Sequence, residues 1–242
     1  MDDLGRLVKQ YLRVCQNQRR LDAKTIKAYR IDLEQLASFL SLQAENLTKT
    51  KIAAYISDLN QKYKPRTVRR KIASAKALCS YLEYEELISE NPFDKLQIKL
   101  NAPAILPKTI PFTVVEAILT AAYCQNEQED LSNKQRLALR RDIAVLELLF
   151  ATGMRVSELC SLKCSDINLL DGEIKIYGKG AKERLVQISN PAVLDALQSY
   201  QNGHIQEINQ AGAFFLNRLK KPLSDQSVRN IILKYTRLAG VT

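Results

Sequence analysis

Three places in the 242-residue sequence concentrate groups able to act on an anion. The first is residues 62–76, where Lys62, Lys64, Arg66, Arg69, Arg70, Lys71 and Lys76 stand with no acid between positions 59 and 82. Arg66, Arg70 and Ala73 recur at helical spacing, away from the apolar positions, and so present two guanidiniums side by side. A helix carrying them fits the major groove of duplex DNA, where arginine grips phosphate or reads guanine. Charge runs are usually solvated helix faces, but seven cations without a compensating acid in the run favour nucleic-acid contact. Lys24 and Lys27, on the polar side of an earlier helix, are further candidates for phosphate. The second place is Ala151-Thr-Gly-Met-Arg-Val-Ser-Glu-Leu159. The third is Gly178-Lys-Gly-Ala-Lys-Glu183, with Lys179 between two glycines and Lys182 near the far side. Taken singly, Arg155 reads as a structural arginine and the Gly-Lys-Gly loop as an ordinary turn.

The elements that must position these groups follow from periodicity. Ile26, Tyr29, Leu33, Leu36 and Leu40 recur at three- and four-residue steps and mark one helix. Residues 47–59 offer a second, with Thr48 as its cap. A third begins at Pro65, where proline suits a first helical turn, and keeps Val68, Ile72, Ala75, Cys79 and Leu82 on one face. Glycine is absent from 6–152, strand-like alternation is weak early in the chain, and the first part reads as a small helical bundle. Pro103, Pro107 and Pro111 then interrupt the chain as an extended linker. The expected domains are 1–101, a linker at 102–112, and 113–242. In the second domain, Phe112–Cys124 and Lys134–Phe150 read as helices. Gly153 permits a turn after the latter, Ser157 is the expected cap of the next helix, and Glu158 suits its positive end. Arg155 is thereby held at a tight junction. Glu173–Tyr177 and Arg184–Ile188 alternate as strands, and the glycine-bearing loop joins them as a hairpin. The fold class is mainly α with a small β-hairpin or sheet.

Composition excludes several classes. Only 8 glycines and 7 prolines accompany 46% apolar residues, which rules out collagen-like or wholly disordered chains. The best apolar run, Ile143–Phe150, is broken by Glu147, so no membrane span is expected. No signal peptide is read at Met1-Asp2-Asp3. Cysteines 15, 79, 124, 160 and 164 read as small core residues of a reducing cytoplasm. One histidine and a single C-x3-C pair do not make a zinc site, so no metal and no cofactor is expected. The formal charge of +10 favours an acidic partner, and it is uneven: residues 1–100 carry +7 and residues 101–242 carry +3.

Residues 151–159, Ser165-Asp166-Ile167 and Gly178–Val186 together resemble the catalytic domain of Xer-type tyrosine recombinases, the phage-integrase family. Thr25, Tyr29, Asp32-Leu33, Phe39-Leu40, Thr67-Val68-Arg69-Arg70 and Asn91-Pro92 resemble that family's SAM-like core-binding domain. Ala213–Leu216 and Leu223–Arg229 extend the likeness over nearly the whole chain. The resemblance implies that Arg155 clamps the scissile phosphate and that Lys179 is the general acid toward the leaving 5′ oxygen. Glu158 stands at a structural carboxylate position. The types suit the chemistry: phosphodiester cleavage builds charge on non-bridging oxygens, which a guanidinium offsets, and on an alkoxide, which a hairpin lysine protonates. In this family the step needs no metal and passes through a tyrosyl–DNA intermediate.

The family also carries a His-x-x-Arg motif, a further His or Trp and the nucleophilic tyrosine beyond the segment matching Ser227–Val241; this sequence ends at Thr242. The expectation is a recombinase truncated before those motifs, binding duplex DNA without completing cleavage by itself. His204 is followed by Ile-Gln-Glu and reads as surface or core; Tyr235 reads as helix packing. The rival is a non-catalytic DNA-binding accessory or competitor of a full-length recombinase. Expected partners are duplex DNA and other recombinase protomers, with no membrane and no small-molecule substrate, in the cytoplasm.

Overall fold

In the computed structural model, residues 3–98, 109–178 and 182–241 are described. The chain divides into two compact units, Met1–Leu106 and Pro107–Thr242. The linker residues Pro103 and Pro107 fall outside the described residues.

The first unit holds α1 (Leu4–Asn17), α2 (Ala23–Phe39), α3 (Lys49–Lys62) and α4 (Pro65–Tyr84). Each of the first three starts at a side-chain cap: Asp3 accepts from the Gly5 amide, Asp22 from Thr25, and Thr48 from Lys51 at 3.3 Å. α4 instead opens on Pro65, whose missing N–H is one that a first turn would leave unpaired anyway. The apolar stripe of α2 is buried except for the partly covered Tyr29, and Val68, Ile72, Ala75, Cys79 and Leu82 of α4 close over it. Tyr11 packs its ring 5.0 Å from that of Tyr81, joining α1 to α4. Burying a leucine of this core contributes roughly 1.5–3 kcal/mol.

The second unit runs α5 (Phe112–Asn126), α6 (Asn133–Thr152), α7 (Val156–Ser161), β1 (Ile167–Asn168), β2 (Glu173–Tyr177), β3 (Glu183–Gln187), α8 (Pro191–Ala211) and α9 (Asp225–Leu238). α5 starts at Phe112, the residue at which the helical pattern begins in the sequence. The three strands form one antiparallel sheet in the order β1-β2-β3, with Ile174 opposite Val186 and Tyr177 opposite Glu183. Residues 142–148 of α6 are all buried, which makes this helix the axis of the unit. Two acids lie in that buried stretch and both are answered: Tyr123 donates to Glu147 at 2.8 Å, and Arg141 and Tyr235 donate to Asp142. α8 packs against α6 and holds Tyr200, whose hydroxyl donates to the Phe214 carbonyl and accepts from the Leu216 amide.

Two local expectations are corrected. Ser157 does not cap α7. The cap position is Arg155, and the Glu158 carboxylate reaches back to accept from its backbone N–H at 2.9 Å. The cysteines are not uniformly core residues either: Cys15 and Cys79 are buried, Cys160 and Cys164 are partly covered, and Cys124 is exposed on α5. Apolar α5 turns only Ile118 and Ala122 fully inward, so a cysteine on its other side meets solvent. Among the described residues, no helix is long and apolar enough to cross a membrane.

Candidate functional site

The first cluster is the cationic side of α4. Lys64 occupies the cap position, and Arg66, Arg69, Arg70 and Lys76 are exposed along the helix. Lys71 is not part of that face. It lies three residues after Val68, on the inward stripe, and is only 4% exposed. Its ammonium donates to Asp32 Oδ1 at 3.0 Å and to Gln35 of α2. Asp32, fully buried, also accepts from Arg70 and from the Ser74 hydroxyl. The cation run is therefore compensated after all, by an acid 38 positions upstream of Arg70 in α2. Arg70 remains 44% exposed while anchored at one Nη, so it does not stand in parallel with Arg66 as two equivalent guanidiniums. Lys24 and Lys27 are exposed in the first turns of α2. Gln35 meets Tyr63 and Lys71 whereas Asp32 meets residues 70–74, so α2 and α4 progress in opposite senses there. The two lysines thus lie toward the Lys76 end of α4, away from Lys64.

The second cluster is built on Glu158, which is 4% exposed. Gly153, at φ 59°, ends α6 in the left-handed conformation and lets the chain turn at once into α7. Arg155 falls in the turn, its side chain 72% exposed, with Nη1 2.8 Å from Glu158 Oε1. Arg184 of β3 takes the same carboxylate in a fork, Nη1 to Oε1 at 3.1 Å and Nη2 to Oε2 at 2.7 Å. These bonds hold the Glu158 carboxyl at about 2 instead of 4.5, with Arg184 the largest cause; burial opposes the shift, and the amide and guanidinium of Arg155 add to it. One carboxylate between two guanidiniums leaves a local surplus of positive charge, and Arg155 turns its outer nitrogens to solvent. A Cβ on Gly178 would lie 3.6 Å from Glu158 Oε1, so the hairpin base passes beside the carboxylate. The Gly178 amide donates to the Lys182 carbonyl at 2.7 Å, closing that base. Lys182 is exposed; Lys179 lies outside the described residues.

Arg184 is the member that sequence reading passed over, as part of a strand. Its phase carries the signal. Arg184 stands opposite buried Ile176, and directly opposed residues of an antiparallel pair share a face, so its partly exposed guanidinium is on the side from which a buried acid can be reached. His204 sits at a break in α8 with its ring 4.7 Å from that of Tyr200 and its Nδ1 3.2 Å from the Tyr200 carbonyl. Burial lowers its pKa. Tyr235 is buried and donates to Asp142 at 3.2 Å, and burial first and then Asp142 raise its pKa.

The model of the phage integrase family matches residues 112–242, and that of the family's N-terminal SAM-like domain matches residues 8–86. The chain belongs to the phage integrase family. Among the family's members, a tyrosine recombinase of Agathobacter rectalis is 50% identical over all 242 residues, which cover 79% of that protein. The tyrosine recombinase XerC of Thermodesulfovibrio yellowstonii is 33% identical over 90% of this chain and 70% of its own length. In fold, this integrase-family chain is similar to the XerH recombinase in a post-cleavage complex with palindromic difH, with TM-score 0.73, 20% identity, and coverage of 97% of this chain and 68% of that one.

Proposed function

We propose that this chain serves site-specific DNA recombination, gripping duplex DNA with the cationic side of α4 and holding one backbone phosphate on Arg155. The observation that carries the reading is the Arg155 arrangement: a guanidinium fixed from behind by a buried, fully ionised carboxylate, yet open to solvent. Such a group is preorganised for a phosphodiester, whose non-bridging oxygens accept two parallel N–H bonds. The tyrosine-recombinase relatives and the cations Lys64, Arg66, Arg69, Arg70 and Lys76 support the same reading. Lys24, Lys27 and Lys182 add phosphate contacts. Lys179, on the loop that begins beside Glu158, is proposed as the proton donor to the leaving 5′ oxygen. A tyrosine on the 3′ phosphate would conserve the bond for rejoining. Recombinase work on DNA needs more than one protomer at a site, and the assembly of this chain with other recombinase protomers in the cytoplasm is part of the proposal.

Titration of salt in a mobility-shift series tests it. Removing one phosphate contact with Arg155→Ala should reduce the slope of log K against log salt by about one while the fold is retained. An unchanged slope in that variant removes Arg155 from the phosphate.

A further inference from the structure

We infer that Asp32 is a positioning residue for DNA recognition: it holds Arg70 as a fixed fork on α4, and through it sets the reading of one base pair. The inference rests on the proposal that α4 meets duplex DNA.

The geometry is specific. Asp32 is on α2, has no solvent exposure at its side chain, and takes three donors from a single turn and a half of α4: Arg70, Lys71 and Ser74. The Ser74 hydroxyl lies 3.0 Å from both the Arg70 carbonyl and Asp32 Oδ2, so its single proton is shared between helix and carboxylate. Lys71 is wholly occupied, with its ammonium 5.0 Å from the centre of the Tyr63 ring and bonded to Gln35. Tyr63 in turn is fixed by Gln35 at 3.0 Å. Nothing in this cluster needs Arg70 for charge balance, because Lys71 alone neutralises Asp32. Arg70 is the additional cation, bound by one Nη, with the rest of its guanidinium facing outward.

A guanidinium reads guanine by two parallel bonds to O6 and N7, and that requires a fixed plane. A free arginine loses rotamer freedom when it binds; one anchored behind loses much less. Asp32 therefore does for Arg70 what Glu158 does for Arg155, with a different outcome. A phosphate contact tolerates small rotations, whereas a base edge does not, so the loss of Asp32 should be felt in discrimination more than in total affinity. Lys71 has a separate part: by occupying Oδ1 it leaves Oδ2 for Arg70 and Ser74.

The test uses the whole chain and a duplex library with a 20-base-pair random core, followed by affinities for the selected duplex and its single-base variants. The expected result is that Arg70→Lys, which keeps the charge but not the fork, loses about tenfold or more discrimination at one base pair. Asp32→Asn should lose discrimination at that same pair, with the salt slope unchanged. The double variant should be no worse than either single one, because Asp32 acts through Arg70. A merely structural Asp32 would lower the melting temperature and weaken binding to all sequences alike, additively with Arg70→Lys. If Asp32→Asn unfolds because Lys71 is left buried without its acid, Asp32→Asn with Lys71→Met removes both charges and is read the same way. Asp32→Asn discriminating like the wild type, or additive losses in the double variant, would overturn the inference. So would a wild type that binds DNA strongly with no base preference. A wild type with no salt-dependent binding at all would instead remove the DNA reading on which the inference stands.

Discussion

Arg70, Arg155 and Arg184 each have a buried acid behind them, Asp32 for the first and Glu158 for the other two, and the acids set what these arginines can do. Glu158 illustrates this through pH. Its carboxyl sits at about 2 when folded and at 4.5 ordinarily, so the unfolded chain binds its proton first as pH falls. The contribution is thus complete above about pH 4.5 and disappears as pH drops toward 2. Counting the screening of the two solvent-exposed arginines, it amounts to about 1–2 kcal/mol. Glu158→Gln should lower the melting temperature at pH 7, flatten its fall between pH 4.5 and 2, and meet the wild-type curve at the acid end. Parallel melting curves for the two proteins across that range would show that the carboxylate is not the coupling group. Which acids pair with which cations was only partly legible. Sequence gave the cations of α4 and the position of Arg155, because both stand in local patterns. It did not give Asp32 with Arg70, since that contact spans 38 positions and no period links them. The inward phase of Lys71, and the pairing of Arg184 with buried Ile176, were the available signs of an acid from elsewhere.

At the level of elements, α2, α3, α4, α5 and α6 were readable from their stripes and start signals, and the β2–β3 hairpin from its alternation and glycine loop. α1, α8, α9 and β1 were not assigned. β1 has two residues, too few for a period, and α8 is a helix broken at His204, where φ is −136°. The open end of the hairpin is held in part by a backbone contact that sequence could not reveal. Gly172, at φ 69°, accepts from the Ile188 amide at 2.7 Å, and a Cβ there would lie 2.3 Å from the Ile188 carbonyl oxygen. Neither atom is the end of a flexible side chain, so the strands must separate to admit it. Gly172→Ala should cost at least about 2 kcal/mol in denaturant unfolding, combining left-handed strain with the clash. Because β3 carries Arg184, the same change should also raise the Glu158 pKa, read by carbon NMR of its carboxyl. Gly153→Ala makes a control: it shares the positive φ but has nothing within 4 Å, and should cost only about 1 kcal/mol. Equal losses from the two substitutions would mean that strain alone, without the approach to Ile188, governs the hairpin.

Over the whole molecule, charge and tyrosine placement make separate demands on the proposed function. The +7 on residues 1–100 predicts electrostatic binding: if about five phosphates are neutralised, log K falls with log salt at a slope near −4.5. Binding, however, is not cleavage. The proposed reaction calls for an accessible tyrosine beside a phosphate held on Arg155, and all ten tyrosines lie among the described residues. Six of them, from Tyr11 to Tyr84, belong to the first unit with α4. Tyr200 and Tyr235 are fully buried; burial pushes the former up to about 12, and both hydroxyls are committed to internal bonds. Tyr123 donates to Glu147. Tyr177 alone in the second unit combines exposure with nearness to the hairpin base, and its ring is covered on one side by Lys175 at 5.2 Å. On a nicked suicide duplex built on the sequence that the chain itself selects, the 242-residue chain should therefore bind without forming a covalent adduct. Groups in such a site act as a unit, so the proposed arginine clamp and lysine acid without an aligned nucleophile would leave little activity. Denaturing electrophoresis reads the outcome directly. An adduct lost in Tyr177→Phe would make the hairpin tyrosine the nucleophile, and the site would then be complete within these residues.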